Sequence, residues 1–256
     1  MSSRKLIKDL MTKLEDNENR NWLRHKSKDL IITVAEQTGA FPNETEIWRS
    51  YNDHNLRKPV QVFLWRSAHN AYKIGQYWDH ITNYEHRGTC PICDVPETME
   101  HILLNCKAPE RRRLWDLTSS LWQQKGQTWP AMTIGMILTK PQGANRAFQI
   151  LVPEMAFLIW KLRCEHRIER NDDPEHAFNL YEVTGKWKAV MNERLQQDCI
   201  LTNKERFGPK ALEVNTVLKT WTGMVHRPEG ESLPDNWIKT LGVLVGIGSY
   251  RRGRNR

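Results

Sequence analysis

Residues 90–106 read CPICDVPETMEHILLNC and place three cysteines and one histidine in the pattern Cys-x2-Cys-x7-His-x4-Cys. Zinc prefers four sulfur or nitrogen ligands in a tetrahedron, and ligand pairs that are local in sequence close such a site at a small entropic cost. The pattern therefore predicts one zinc ion bound by Cys90, Cys93, His101 and Cys106. Because protein ligands fill all four positions and leave none for a water nucleophile, we expect a structural site rather than a catalytic one.

The spacing of the second ligand pair constrains the local helix. Thr98 can open a helix that carries His101 in its first turn, but Cys106 follows five residues later, about 140° around a regular α-helix. We therefore expect the helix to end or tighten before Cys106, so that both side chains face one ion. Three thiolates around a divalent cation leave one net negative charge, which Lys107 and the arginines at 111–113 can offset.

A redox site is the alternative interpretation of the first cysteine pair. Cys-x2-Cys alone is also typical of thioredoxin-like proteins, but no strand–helix context accompanies it here, and the added His and Cys at metal spacing favour a metal site. The other two cysteines, Cys164 and Cys199, fall within predicted long helices. We expect them to be inert.

The chain outward from this motif is predicted to be mostly helical. Apolar residues recur at helical spacing over 57–72 and 110–125, and 146–170 is apolar on nearly every face, which predicts a central buried helix. Pro153 must start or kink that helix, because it lacks a backbone donor. The tryptophans on the predicted helices are expected to lie in the core rather than to stack on bases, namely Trp65, Trp115, Trp122, Trp160 and Trp187.

A second long helix is predicted to begin at Asp173, with Pro174 in its first turn, and to run to about Phe207, where Gly208 stops it. Together with the helix predicted at 146–170, this second helix predicts an antiparallel helical pair. The predicted fold class is mostly α, a helical bundle with an embedded Cys3His zinc knuckle and a C-terminal helical hairpin. The predicted segments are an N-terminal helical segment (1–43), a zinc-binding module (44–126), a linker (127–145), the hairpin (146–212) and a C-terminal extension with an arginine-rich tail (213–256).

The formal net charge of +8 is concentrated in three places. Residues 1–35 carry eight Lys and Arg against five Asp and Glu, 107–113 carry four against one, and 251–256 carry four arginines. Such patches favour a polyanionic partner, because neutralised phosphates release their counterions. The sequence therefore predicts RNA or DNA contacts from Lys107, Arg111, Arg112, Arg113, Arg251, Arg252, Arg254 and Arg256.

The hydropathy pattern argues against a membrane protein. The longest near-apolar run, 241–248, is far shorter than the roughly 20 residues that a membrane-spanning helix requires. The first 20 residues alternate charges with single aliphatic residues and lack the apolar core of a secretory signal. We therefore expect an intracellular location, in the nucleus or the cytoplasm, with reduced cysteines.

Two stretches carry a resemblance to a known family. KPVQVFLWRSAHNAYKIGQYW at 58–78, then CPICDVPETMEHILLNC at 90–106 and Trp115, resemble the reverse-transcriptase zinc-binding domain near the end of non-LTR retrotransposon polyproteins. The resemblance covers about residues 44–125. Shorter segments further on, LIWKLRCEHRI, LTNKERFG and ESLPDNWI followed by GVLVGIGS, are similar to segments that follow this domain in fungal retroelements.

The resemblance implies a zinc-binding accessory part of a retroelement polyprotein. Such polyproteins carry a reverse transcriptase and an RNase H domain upstream, but this sequence contains neither a Tyr/Phe-x-Asp-Asp nor a Thr-Asp-Gly-Ser motif. Two-metal phosphoryl chemistry needs several convergent carboxylates, and the acids at 172–175 are better explained as a helix start. We therefore expect a terminal fragment without the enzymes, and we predict no catalytic residue and no cofactor site other than the zinc ligands.

Two functions remain open at this point. The first is a zinc-stabilised, non-catalytic module that binds nucleic acid, favoured by the charge placement and the resemblance. The second is a helical protein-interaction scaffold in which zinc only holds the fold together and the basic patches are solvated surface. The sequence identifies no protein partner.

Overall fold

The computed structural model describes residues 51–139, 144–226, 232–239 and 243–246. Over these residues the chain is mostly helical, which confirms the predicted fold class. The predicted N-terminal helical segment and the arginine-rich tail at 251–256 lie outside the described residues. Within the described ranges no helix is both long and apolar enough to cross a membrane.

The α-helices, in chain order, are α1 (Lys58–Ala68), α2 (Pro109–Gln123), α3 (Ile134–Leu138), α4 (Arg146–Cys164), α5 (Leu180–Leu201), α6 (Lys204–Phe207) and α7 (Val214–Trp221). Wider π-helical turns span His101–Asn105 and Glu165–Glu169, and 3₁₀ turns span Gly75–Trp78, Glu85–Gly88, Pro174–His176, Gly208–Lys210 and Trp237–Lys239. Two short antiparallel strands, β1 (Val225–His226) and β2 (Leu244–Val245), pair Val225 with Val245 and His226 with Leu244.

The described residues divide into two compact units. The metal-site unit comprises 51–107, 131–139, 144 and 159–163, and the hairpin unit comprises the rest. Helix α2 lies in the predicted zinc-binding module but belongs to the hairpin unit, and residues 159–163 lie in the predicted hairpin but belong to the metal-site unit. The predicted linker contains α3. The physical reason is packing: Trp187 Nε1 on α5 donates to Thr118 Oγ1 on α2 at 3.1 Å, and α3 packs against α1.

The core of the metal-site unit is built on α1. Val60, Phe63 and Leu64 are buried, and the Phe63 ring lies 6.4 Å from that of Trp160. Trp65 was expected in the core, but 45% of it is exposed. The expectation was wrong because Trp65 lies two residues after Phe63, about 200° around the helix and therefore on its opposite face. The other four tryptophans predicted to be buried are buried.

The two long helices differ in detail from their predicted bounds. Helix α4 is buried along most of its length, as predicted, but it begins at Arg146 and contains Pro153 in its interior. A start at Pro153 is therefore wrong. The second helix does not begin at Asp173, which caps only the 3₁₀ turn Pro174–His176. Helix α5 begins at Leu180, because the side chain of Asn179 accepts the Glu182 backbone N–H at 2.8 Å.

Ion pairs at both ends show that α4 and α5 are antiparallel, as predicted. Arg146, at the start of α4, donates from Nη1 to Asp198 Oδ2 near the end of α5 at 2.7 Å. At the opposite end Lys186 Nζ, near the start of α5, donates to Glu165 Oε2 at 3.0 Å, directly after α4. The two contacts fix the register of the hairpin.

Asp198 is the centre of a buried polar cluster in the hairpin unit. It is fully buried and accepts hydrogen bonds from Arg146 and from Trp221 Nε1, the latter at 2.8 Å, while Arg194 lies 2.7 Å from its Oδ1. Glu154, also buried, adds a second negative charge that acts on Arg194. The two arginines and two acids balance, which is the condition for burying charge without a large penalty.

We expect Asp198→Asn to lower the free energy of unfolding by about 3–5 kcal/mol, because it leaves the buried guanidinium of Arg194 and the half-buried guanidinium of Arg146 without their carboxylate. Urea unfolding followed by circular dichroism measures this. The matched control is Asp116→Asn, since Asp116 lies exposed on α2. Equal stability of the two variants would contradict a central role for Asp198.

The same carboxylate predicts a pH dependence. Burial acts to raise the pKa of Asp198, but the Arg146 hydrogen bond and the Arg194 charge outweigh it and hold the pKa below its usual value. A carboxyl with a depressed pKa contributes stability above its unfolded pKa of about 3.9 and loses it as the pH falls through the folded pKa. We expect unfolding free energy to fall on acidification below about pH 4, less steeply in Asp198→Asn.

Candidate metal centre

The structure brings the four predicted ligands together. The ligand atoms of Cys90, Cys93, His101 and Cys106 all lie within 4.8 Å of one another. Cys106 Sγ lies 3.8 Å from Cys90 Sγ and 3.9 Å from Cys93 Sγ. Cys90 and Cys106 are buried, and 9% of His101 is exposed. Three sulfurs and one imidazole nitrogen at these separations can hold a metal ion.

A tight turn positions the first ligand pair. The Asp94 backbone N–H donates to the Cys90 carbonyl oxygen at 2.9 Å, and the Cys90 N–H donates to the Val95 carbonyl oxygen at 2.8 Å. Asp94 adopts a left-handed conformation with φ of 54°, which Asp tolerates better than most residues. The turn reverses the chain between Cys90 and Val95, so that both cysteine side chains reach the same point.

A widened turn positions the second pair. Thr98 Oγ1 accepts the His101 N–H at 3.0 Å, so Thr98 opens the helix as predicted. The helix then widens into a π-helical turn, and the Cys106 N–H donates to the His101 carbonyl oxygen at 2.7 Å. The helix therefore ends at Asn105, before Cys106, which is one of the two expected alternatives, but its last turn is wider than a regular helix and not tighter. A hydrogen bond over five residues adds backbone to the turn and brings Cys106 back over His101, which a tighter turn cannot do.

The chemistry of the ligand atoms fits metal binding. His101 Nε2 is buried and has no hydrogen-bond partner among the described residues. A buried polar atom without a partner is costly, and a metal ion is a partner for an imidazole nitrogen. The hydrogen bond with the Cys106 thiol outweighs the effect of burial and lowers the pKa of Cys90 to about 4. Cys90 therefore favours the thiolate form in which cysteine ligates metals.

We call the segment 90–106, which carries the four candidate ligands, the metal loop. Two residues that sequence reasoning did not single out hold it in place. The Glu97 backbone N–H donates to the Gly88 carbonyl oxygen at 2.8 Å, and its buried carboxylate pairs with Arg163. Gly75 has a φ of 51°, and a Cβ there would collide with the Glu97 carbonyl oxygen. Glu97 and Gly75 are both visible in the sequence. They lie far apart along the chain, however, so no local sequence pattern predicts their contact.

The basic residues predicted to bind nucleic acid have different environments. Lys107 is exposed, belongs to the metal-site unit and donates its backbone N–H to Cys93 Sγ at 3.2 Å. Arg111, Arg112 and Arg113 lie on α2 in the hairpin unit, where Arg112 is exposed and the other two are half-buried. Arg113 Nε donates to Thr184 Oγ1 at 3.3 Å. The four arginines of the tail lie outside the described residues.

No family model matches the chain, and no curated protein or solved structure matches it either. The resemblance to the reverse-transcriptase zinc-binding domain therefore depends on the stretches 58–78 and 90–106 and on Trp115, and it stays a prediction.

We expect Gly75→Ala to weaken metal retention, because the added Cβ forces the Glu97 backbone, and with it the start of the ligand helix, to shift. Competition with a chelator measures the apparent metal affinity. The matched control is Gly126→Ala, since Gly126 has a φ of 70° but open space around its Cα. That variant carries the same type of backbone strain, so equal metal loss in both variants would contradict a specific role for the Gly75–Glu97 contact.

Proposed function

We propose that the protein is a zinc-stabilised, non-catalytic module that binds nucleic acid. The observation that carries the proposal is the Cys3His cluster, in which four ligand atoms from one short stretch converge within 4.8 Å. The proposal has two parts, the metal and the polyanion, and each has its own support and its own test.

Zinc is the metal that this ligand set favours. Three cysteine sulfurs and one histidine nitrogen form one of the usual ligand sets of structural zinc, whereas hard cations such as magnesium and calcium prefer oxygen. Zinc–sulfur bonds of about 2.3 Å at tetrahedral angles put neighbouring sulfurs about 3.8 Å apart. The separations of Cys106 from the other two cysteines, 3.8 and 3.9 Å, match that value.

The ligand set also favours a structural role over catalysis. Catalytic zinc sites keep an open position for water or substrate, while four protein ligands close the coordination sphere. The Lys107 backbone N–H donates a hydrogen bond to Cys93 Sγ, which stabilises negative charge on that sulfur. A closed site stabilises the fold around it, because metal binding at such a site is also folding free energy.

The distribution of charge supports a nucleic-acid partner. The chain has a formal net charge of +8, and four of its positive charges lie in the last six residues. Two further exposed cations are Lys107, which precedes α2 in the sequence, and Arg112, which lies within α2. Clustered cations gain affinity for phosphates through counterion release, and this gain does not depend on base sequence.

We expect purified, reduced protein to contain one equivalent of zinc, and Cys93→Ser to lose most of it, because a hydroxyl replaces a thiolate ligand. Inductively coupled plasma mass spectrometry measures the metal content. The control is Cys199→Ser, which removes a cysteine of α5 that is not among the clustered ligands. Less than about half an equivalent in wild type, or unchanged content in Cys93→Ser, would contradict the zinc assignment.

We expect affinity for RNA and DNA to fall steeply with salt. Replacing the four arginines at 251–256 by glutamine should lower the log–log slope by about 0.7 on single strands, or about 0.9 on duplex DNA, for each phosphate that the variant no longer neutralises. Fluorescence anisotropy at several salt concentrations measures the slope.

The matched control for charge is Lys188→Gln, an exposed cation on α5 outside the three basic patches. It should leave affinity and slope unchanged. The scaffold alternative makes the opposite prediction for wild type: zinc-loaded protein shows no appreciable binding to either nucleic acid even at about 50 mM salt, where electrostatic association is favoured.

A further inference from the structure

A row of solvent-accessible aromatic rings lies between α1 and the metal ligands in the sequence. It consists of Tyr77, Trp78, Tyr84 and His86 with the guanidinium of Arg87, and we name it the aromatic platform. Ring centroids are 5.2 Å apart for Tyr77 and Trp78, 6.2 Å for Trp78 and Tyr84, and 6.5 Å for Tyr84 and His86. Tyr77 meets Trp78 edge to face at 86°, whereas the Trp78 and Tyr84 rings are tilted by 39° and the Tyr84 and His86 rings by 26°. The rings therefore form a chain of contacts with several differently oriented faces.

The platform combines ring faces with cations. Tyr77 and Tyr84 each expose 45% of their surface. The Arg87 guanidinium carbon lies 5.4 Å from the Trp78 ring centroid and 5.0 Å from that of Tyr84, and Lys73 Nζ lies 5.4 Å from the Tyr77 ring. Single exposed aromatic residues need no explanation, but a contiguous group with interleaved cations marks a binding surface.

The backbone holds the platform close in sequence and structure to the metal loop. Its two 3₁₀ turns begin and end at Gly75 and Gly88, and both glycines contact the segment that leads to His101. The Gly88 carbonyl oxygen accepts the Glu97 N–H, and Gly75 packs against the Glu97 carbonyl oxygen. These contacts hold the backbone of the two turns that carry the rings, and an ordered backbone lowers the entropy lost on binding.

Charge alone does not explain the surface. The cations Lys73 and Arg87 are matched by Asp79 and Glu85, two exposed acids on the same turns, so the segment carries no net charge. A binding site for phosphates alone would carry an excess of cations. The chemistry that remains is stacking of a planar ligand on the rings, with Arg87 supplying cation–π contact.

We propose that the aromatic platform binds the unpaired bases of single-stranded nucleic acid by stacking. This inference rests on the proposed function and names the ligand class for one surface of it. Every base has a π-face, so stacking tolerates any sequence, whereas the bases of a duplex already stack on each other and cannot reach the rings. The basic patches contact phosphates, and the platform adds preference for single strands.

The test compares the double variant Tyr77→Ala/Tyr84→Ala with Tyr181→Ala in the zinc-loaded chain of 256 residues. Tyr181 is the matched control, because it lies on α5 and exposes 92% of its surface. Fluorescence anisotropy uses labelled 12-residue oligo(U), oligo(dT) and a duplex DNA of equal length. We expect the double variant to bind both single strands at least about fivefold more weakly, with an unchanged salt slope, while the duplex affinity and the control stay at wild-type values.

A second variant separates stacking from apolar contact and from unfolding. Tyr84→Leu keeps an apolar side chain but has no π-face. Measurements of zinc content and far-ultraviolet circular dichroism verify that each variant is folded. We expect Tyr84→Leu to lose single-strand affinity and Tyr84→Phe to retain it. Equal affinity for oligo(U) and oligo(dT) indicates base stacking alone. A preference for oligo(U) indicates an added contact to the ribose hydroxyl. Either outcome supports the proposal.

The outcomes distinguish the two proposals. Wild-type protein that binds none of the three probes overturns the proposed function, and the platform inference with it. Wild-type binding that neither Tyr77→Ala/Tyr84→Ala nor Tyr84→Leu weakens overturns the platform inference alone and leaves the proposed function in place. An equal loss on duplex and single strands also overturns it, because stacking on unpaired bases cannot affect a duplex.

Discussion

The convergence of three thiols and one imidazole on a single point is the constraint on which the metal-site unit depends. The two ligand pairs approach this point by different devices, a left-handed turn at Asp94 and a widened turn that ends at Cys106. Without a metal ion, the arrangement leaves a buried His101 nitrogen without a hydrogen-bond partner among the described residues, with three cysteine sulfurs within 4.8 Å of it. With a metal ion, the same features become ligands. The local backbone geometry therefore gathers four atoms that can hold a metal ion.

The hairpin unit depends on a different interaction. Its helices α4 and α5 carry a large apolar surface, but Asp198 and the charges around it, together with Lys186 and Glu165, decide which residues lie opposite each other. Burying a balanced set of two acids and two arginines adds little net stability and makes alternative registers costly. One unit is therefore organised around a candidate metal site and the other around a buried ion-pair cluster.

The sequence predicts these features unequally. The ligands were identifiable because their spacing alone indicates metal chemistry, and the helices because apolar periodicity is a local signal. The widened turn before Cys106 could not be identified from the sequence, because an argument from regular helical periodicity assumes the same backbone hydrogen-bond spacing in every turn. The start of α5 was misplaced because Asp173 and Asn179 are both good caps, and packing of the helix decides between them. The aromatic platform was missed because its residues lie in short turns with no period, where exposure depends on contacts such as Gly75 with Glu97.

The most direct test of the metal assignment is X-ray absorption at the zinc edge on the 256-residue chain purified with zinc. We predict a first shell of three sulfurs at about 2.3 Å and one nitrogen at about 2.0–2.1 Å. That shell corresponds to Cys90, Cys93, Cys106 and His101. A shell dominated by oxygen and nitrogen, or one with two or fewer sulfurs, would contradict it.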